Sequence, residues 1–501
     1  MDILNSLAQG FGIALTPSNL LFTVIGVVIG QIIGALPGIG PSAGMALLLP
    51  MTFGLPPVTA TVMLAGIMYG GMYGGTLTSV LINVPGEAAS VMTAVDGHQL
   101  ARQGRAGSAL SVAAVGSFLA GVAAVAALAV AAPALSTFAL RFNAPEYFLL
   151  AALGITATAS LGTSSAIKAL LTALFGLMVA LVGTDPILGV DRLTFGVQSL
   201  VDGFDFLPVA IGVFGIAEVL VSLEMIHDAK PLTTRMRDLW PRLSDWTETR
   251  MAILRGGVIG FLIGVMPGAG PTVAALMAYV SERKFSPHPE RFGRGALDGV
   301  AAAESANNSA VHGALVPMLA LGIPGSASTA VLLAALVLQG IRPGPMLMQQ
   351  QPDLVWGLIA SMFVGNVVLL VMNLPLAPVF ASMLRIPYAY LAPGILALSL
   401  VGAFATTLNM YTAVVALAFG VIGYVMIKAD LPRAPLVLAL VLAPLMESSL
   451  RQALMLSDGS LAIFVQRPLA AVLLGAVLLS LIWPLAQSLR QRRSRLPLAA
   501  P

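Results

Sequence analysis

The sequence predicts an all-α polytopic membrane protein, with about 11–13 transmembrane segments in two inverted-topology repeats that contain broken helices and re-entrant hairpins. Three observations predict it. Of 501 residues, 58% are hydrophobic and 9% charged, and the mean hydropathy is +0.93. A soluble globular chain carries about 25% charged residues, so this one lacks the polar surface to cover a water-soluble body. Apolar runs of about 20 residues, long enough to cross a bilayer, recur from end to end. Finally, a Pro/Gly motif occurs twice inside such runs, as "GALPGIGP" at 34–41 and "GVMPGAGP" at 264–271.

Taken in order, the first six spans are expected near 19–36, 57–82, 108–132, 145–160, 165–184 and 206–223. Residues before position 19 contain no Lys or Arg, so they lack the basic region of a signal peptide, and 19–36 reads as a retained span. The hydrophilic stretch 224–250 then divides the chain near its midpoint. Six further spans follow near 252–266, 299–322, 352–373, 388–406, 409–427 and 467–488, ending in the basic tail "RQRRSR". Shorter apolar pieces at 42–55, 86–95, 272–281, 325–340 and 434–446 suit half-helices or re-entrant segments. The expected organisation is a first membrane repeat at 1–223 and a cytoplasmic linker at 224–250. A second repeat at 251–501 adds an extra C-terminal helix and the cytoplasmic tail.

Duplication is visible without gaps. Residues 26–41 and 256–271 share ten identities in sixteen positions, and Gly26, Gly30, Gly34, Pro37, Gly38, Gly40 and Pro41 all find counterparts. Farther on, "LINVPGEAAS" at 81–90 aligns with "ALGIPGSAST" at 320–329. Basic loops give the orientation, because Lys and Arg collect on the cytoplasmic side. The segment before the second motif carries Lys230, Arg235, Arg237, Arg242, Arg250 and Arg255, whereas its counterpart before the first carries none. Arg283, Lys284, Arg291 and Arg294 likewise face an uncharged "FGLPP". The bias then reverses, with Arg102 and Arg105 set against Arg342 alone. The halves therefore read as inverted, with the N-terminus outside and the C-terminus cytoplasmic. On this topology Asp185, Asp191, Asp202 and Asp205 lie outside in solvent.

The repeated motif cannot continue a helix. Pro37 and Pro41 lack backbone donors, and Gly38 and Gly40 admit conformations that other residues resist. Pro267, Gly268, Gly270 and Pro271 repeat the pattern. Irregular backbone survives at membrane depth only when buried in protein or lining a wet cavity. One break in each inverted half can meet its partner near the midplane. There, half-helix N-termini favour an anion and freed carbonyls favour sodium. Ser42 and Thr272 follow the breaks directly and join the candidate site.

A second break in each half reads as a hairpin tip, with Asn83, Pro85, Gly86 and Ser90 in the first and Pro324, Gly325, Ser326 and Ser328 in the second. Exposed N–H groups and hydroxyls there can bind a carboxylate. Because the spans lack well-placed cations, backbone dipoles and sodium are the expected countercharge. In "AAAESANNSAVHGALVP" at 301–317, Asn307 and Asn308 bring amides that coordinate ions or bond carboxylates, or that hydrogen-bond between helices. Glu304 and Glu87 are intramembrane ionisable candidates. Sodium is expected at Gly38, Asn83, Gly268 and Asn308. By contrast, the Gly26–Gly30–Gly34 and Gly256–Gly260–Gly264 ladders and the Tyr69/Tyr73 stretch read as helix packing.

Several chemistries are excluded or disfavoured. Cysteine is absent, which removes disulfides, thiolate metal sites and cysteine nucleophiles. His98, His227, His288 and His312 form no HExxH, and no Walker A motif occurs. Neither an enzyme nor an ATPase is expected, and no cofactor beyond a coupling ion. The net charge of +3 sits in short loops and the tail, where it sets topology rather than binding nucleic acid. An ion or solute channel is the alternative, since broken helices also build selectivity filters.

The motifs "GALPGIGPSAGMALLLP", "AGIMYGGMYGGTLTSVLINVPGEAASVMTAVDGHQLARQG", "GVMPGAGPTVAALMAYVSERK" and "ESANNSAVHGALVPMLALGIPGSASTAVLLAALVLQGIRPGP" closely resemble the TctA family. That family is the large membrane subunit of the bacterial tripartite tricarboxylate transporters, and the likeness in length and layout covers essentially the whole chain. One departure is "ESANN" where the family pattern reads "EAANN". The resemblance implies secondary active import of citrate-like tri- or dicarboxylates across the inner membrane, driven by a sodium or proton gradient. It also implies two partners, a small TctB-like membrane subunit and a TctC-like periplasmic binding protein that delivers substrate. Membrane lipids surround the chain, and a homodimer is left open. An elevator, in which a motif-bearing domain slides against 108–223, is consistent with the inverted repeats.

Overall fold

Hydrocarbon offers no water to satisfy backbone groups, so a chain this apolar closes its hydrogen bonds within helices. The computed structural model describes residues 3–36, 40–161, 165–185, 188–224, 243–268, 270–383 and 388–494. Among them the only strands are β1 (Gly183–Thr184) and β2 (Asp191–Arg192), a two-residue antiparallel ladder pairing Gly183 with Arg192.

In the first half, α1 (Ile3–Ala14) leads into α2 (Pro17–Ala35). Past the first Pro/Gly break comes α3 (Pro41–Leu48). Each of these two helices opens on proline at its first position, where a missing N–H costs nothing. Next come α4 (Pro57–Ile82), a 3₁₀ turn (Ala88–Ser90) and α5 (Val91–Arg102). The long α6 (Ala106–Ala139), α7 (Ala144–Leu161) and α8 (Ala166–Ala180) follow. A single rod then combines α9 (Phe206–Ala210), a π-helical stretch (Ile211–Ile216) and α10 (Ala217–Glu224).

The second half repeats the opening pattern with α11 (Leu243–Val265), α12 (Gly270–Phe285), α13 (Leu297–Gly313), α14 (Leu315–Leu321) and α15 (Ala327–Leu338). Beyond it lie α16 (Leu347–Gln350), α17 (Pro352–Asn373), α18 (Ala377–Met383), α19 (Tyr388–Thr407) and α20 (Met410–Lys428). The chain closes with α21 (Ala434–Leu456), α22 (Ile463–Gln466) and α23 (Pro468–Ser494). Among the described residues, six helices are long and apolar enough to cross a membrane: α2, α6, the α9–α10 rod, α17, α20 and α21.

Two expectations need correction. The piece at 434–446 is no half-helix, because α21 runs on to Leu456. Its polar second half is held by Arg451, which bonds Glu447 one turn back (2.7 Å) and Asp185 (2.6 and 3.0 Å). For the same reason Asp185 is not solvated: it is 3% exposed and also faces Arg192 at 3.4 Å. Asp191, Asp202 and Asp205 are exposed. Most of the expected linker, residues 225–242, lies outside the described residues.

The two glycine ladders pack as their spacing suggests. A Cβ built on Gly26, Gly30 or Gly34 would lie 2.2, 2.5 or 2.0 Å from the carbonyl oxygen of Met63, Ile67 or Gly71 on α4. Gly256, Gly260 and Gly264 meet the carbonyls of Ala302, Ala306 and Ala310 on α13 at 2.5, 2.3 and 2.4 Å. Backbone thus touches backbone along both pairs, as small residues allow. Around these pairs, α6 lies along α13, α17 against α1, α4 and α6, and α21 against α7 and α8.

Gly260→Val should lower the melting temperature and the yield of monodisperse protein, since its side chain has no room against Ala306. The cost expected from such overpacking is roughly 1–3 kcal/mol or more. Gly12→Ala, at a position with open space around it, should behave as wild type in the same thermal-unfolding assay.

Candidate anion cavity

The second Pro/Gly break turns on left-handed backbone at Gly268 (φ +79°) and Gly270 (φ +64°), which side-chain-bearing residues resist. The Gly268 N–H donates to the carbonyl of Gly325 (3.1 Å), fastening this break to the second hairpin tip. In the first break, Gly40 is extended and Pro41 starts α3. Pro37 and Gly38 lie outside the described residues.

The two tips share one construction. Helix α4 stops at Asn83 in the left-handed conformation (φ +57°), and the Val84 N–H donates back to Thr78. Helix α14 stops at Gly322 (φ +72°), and the Ile323 N–H donates back to Pro317. Reciprocal caps follow at aligned positions. The Ser90 hydroxyl bonds the Glu87 backbone (2.9 Å), while Ser326 N–H donates to Thr329 Oγ1 (2.8 Å) and Thr329 N–H to Ser326 Oγ (3.2 Å). Gly86 is pressed so closely on the Gly34 carbonyl that a Cβ would sit 2.1 Å from it.

Contacts between the halves are reciprocal too: α3 packs on α15, and α12 packs on the 88–90 turn. Each break therefore meets the opposite half's tip, and a cavity of about 670 Å³ opens where they meet. Of the expected site residues, Gly40, Pro41, Ser42, Pro85, Gly86, Gly268, Gly270, Pro271, Thr272 and Ser326 line it. Asn83, Pro267, Asn307, Asn308, Pro324 and Gly325 do not. Asn83 is exposed and serves as a helix stop, a role Asn fills because it tolerates left-handed backbone. Asn307 and Asn308 are fully buried behind the wall. The positions expected to share sodium are thus dispersed, with Gly268 at the cavity, Asn308 behind it and Asn83 outside.

Among the described residues, five helices begin at this cavity: α3, α12, α15 and α21 directly, and α5 through its 3₁₀ turn. First-turn N–H groups have no intrahelical acceptor, and each N-terminus behaves as about half a positive charge. The lining carboxylates are already engaged. Glu218 pairs with Arg433 (2.8 Å), Asp430 with Lys168 (3.3 Å), and Glu87 accepts from Asn307 (3.0 Å). Such a cavity favours an anion with several acceptor oxygens. Among the described residues no three His, Cys, Asp or Glu side chains group to hold a metal.

Arg433 brings to the cavity, from outside the spans, a cation that the spans themselves were not expected to supply. It comes not from a span but from "LPRAP" at 431–435, directly ahead of α21. Its guanidinium donates to the Val213 carbonyl (3.1 Å) and sits 5.8 Å from the Phe214 ring centre. The π-helical stretch presents both partners, and such stretches often mark functional sites. An arginine set between two prolines before an apolar run was the available signal.

The family profile described as "Tripartite tricarboxylate transporter TctA family" matches residues 20–438. The chain is 43% identical over 495 residues, 99% of each sequence, to an uncharacterized 52.8 kDa protein in the TAR-I ttuC' 3' region of Agrobacterium vitis. It is 42% identical over 236 residues to an uncharacterized protein in the TAR-II ttuC' 3' region of the same organism, covering 47% of this chain and 98% of that one. No solved structure matches.

Arg433→Gln should destabilise the protein by roughly 2 kcal/mol, because Glu218 is left poorly solvated and unpaired. Adding Glu218→Gln should recover most of that loss in thermal unfolding. A double variant no more stable than the single would show that an unpaired Glu218 is not the cause of the loss.

Proposed function

The chain belongs to the TctA family of tripartite tricarboxylate transporters, and on that premise we propose that it imports citrate-like tri- or dicarboxylates across the bacterial inner membrane. A sodium or proton gradient drives uptake, a periplasmic TctC-like protein delivers the substrate, and a small TctB-like subunit completes the membrane complex. The N-terminus faces the periplasm and the tail the cytoplasm, as the basic loops suggest.

One observation carries this reading: N-termini from both halves converge, with Arg433, on a single cavity. Its volume lies within the range of ligand pockets, roughly 300–1,000 Å³. First-turn N–H groups and a guanidinium bind carboxylate oxygens well because their donors are fixed in direction before the anion arrives. The substrate carboxylates bind at these N-termini.

An elevator motion fits the packing when its boundary is moved. Helix α6 lies along α13 and so travels with the motif-bearing body. The scaffold is then α7–α10 with α19–α21 and α23, and the cavity sits between the two bodies, with Arg433 on the scaffold side.

Labelled citrate and dicarboxylates offered to vesicles carrying the chain and both partners should accumulate saturably, and only while the ion gradient lasts. Arg433→Gln should raise the half-saturating concentration at least tenfold. Flux that rises in proportion to concentration, with no need for a gradient, would favour the channel reading instead.

A further inference from the structure

Behind the cavity wall lies a second group of oxygens that the anion site does not use. Helical spacing puts Glu304, Asn307 and Asn308 on one face of α13, and none is more than 1% exposed. Glu304 Oε1 accepts from the Thr93 hydroxyl, and Tyr73 and Thr76 of α4 stand beside the same carboxyl. Asn307 directs its Nδ2 to Glu87 Oε1 (3.0 Å) and Asn308 directs its own to Ser117 Oγ (2.7 Å). Both amides have thus turned their donors to protein. Thr76 stands in hydrogen-bonding contact with the Glu304 carboxyl and Tyr73 with Ser117, while Asn307 Oδ1 and Asn308 Oδ1 are left without a hydrogen-bond partner.

This set lacks positive charge. Among the described residues neither Glu304 nor Glu87 has a Lys or Arg partner, in contrast to Glu218, Glu282 and Glu146. His312, one turn beyond Asn308, puts Nδ1 on the Asn308 carbonyl (2.7 Å) and turns Nε2 to the Asn366 amide (3.4 Å), an arrangement a neutral ring completes. A proton on Glu304 would satisfy one oxygen and leave both amide oxygens bare. A small hard cation satisfies carboxylate, amide and hydroxyl oxygens together.

We propose that Glu304, Asn307, Asn308, Thr76 and Tyr73 form a sodium site, linked to the anion cavity through Glu87. Asn307 holds the side chain of Glu87, and Glu87 stands at the tip whose Pro85 and Gly86 line the cavity. Sodium drawn to this group fixes Asn307 and with it the tip, so cation and anion each favour the other's binding. The sodium site stands on its own geometry; its service as the coupling-ion site rests on the transporter reading above.

The test is binding of radioactive sodium alone to the full chain in lipid nanodiscs, with no carboxylate present. Wild type should bind saturably, Glu304→Gln at least tenfold more weakly, and Glu304→Asp in between. Thr76→Val, which keeps the charge and the shape, should weaken binding about threefold and serves should Glu304→Gln fail to fold. Wild-type sodium binding by the Glu304 and Thr76 variants would overturn the proposal. So would a wild type that binds no sodium and only exchanges a proton at Glu304. Labelled citrate measured in the same discs separates the two readings. Sodium binding that depends on Glu304, without citrate binding, sustains this site and defeats the carboxylate reading; citrate binding without it does the reverse.

Discussion

An unpaired backbone N–H or carbonyl in hydrocarbon costs several kcal/mol, and this constraint organises the whole protein. A chain obeying it can break a helix only where protein or enclosed water receives the freed groups. The described residues at the breaks (Gly40, Gly268 and Gly270) and those at the tips (Pro85, Gly86, Glu87 and Ser326) are therefore not scattered. They gather at one cavity, and the polar groups that the lipid cannot tolerate become its lining. The feature that makes the sequence improbable as a set of plain spans is the same one that makes a binding site.

Close packing makes the gathering possible. Glycine ladders bring α2 onto α4 and α11 onto α13 with carbonyls in contact, so each break is held a fixed distance from its own tip. The contacts of α3 with α15 and of α12 with the 88–90 turn then lock the halves to each other. Because matching residues perform matching tasks, the capping pairs Glu87/Ser90 and Ser326/Thr329 among them, the duplication extends from sequence to local geometry. The halves are not equivalent, however. Glu304, Asn307 and Asn308 occur on α13 alone, and the first half supplies tyrosines and Glu87 in return, so the polar interior is made by both but owned by neither.

Much of this was legible in the residues. Pro and Gly placed the breaks, GxxxG spacing placed the ladders, and composition together with recurring apolar runs of about 20 residues pointed to the all-α membrane class. What escaped depends on tertiary neighbours. Arg433 lies in a short loop, and nothing local says that Val213 and Phe214 will receive it. Asp185 looks like any exterior carboxylate until Arg451, far along the chain, closes on it. The extent of α21 was misjudged because its polar end is stabilised by that same long-range cluster. Asn83, a candidate ligand in the sequence, ends α4 in the left-handed conformation, and that turn is formed only when the tip folds.

The central claim is that helix N-termini of both halves bind one anion together. The chain has no cysteine, so single Ser42→Cys, Thr272→Cys and Ser326→Cys variants can each be labelled uniquely with a charged thiol reagent. Labelling rates measured with and without citrate test the claim directly. Citrate should slow labelling at all three positions over one concentration range and leave an exposed control, Ser460→Cys, unchanged. Protection in one half only, or at none of the three, would contradict a shared anion site.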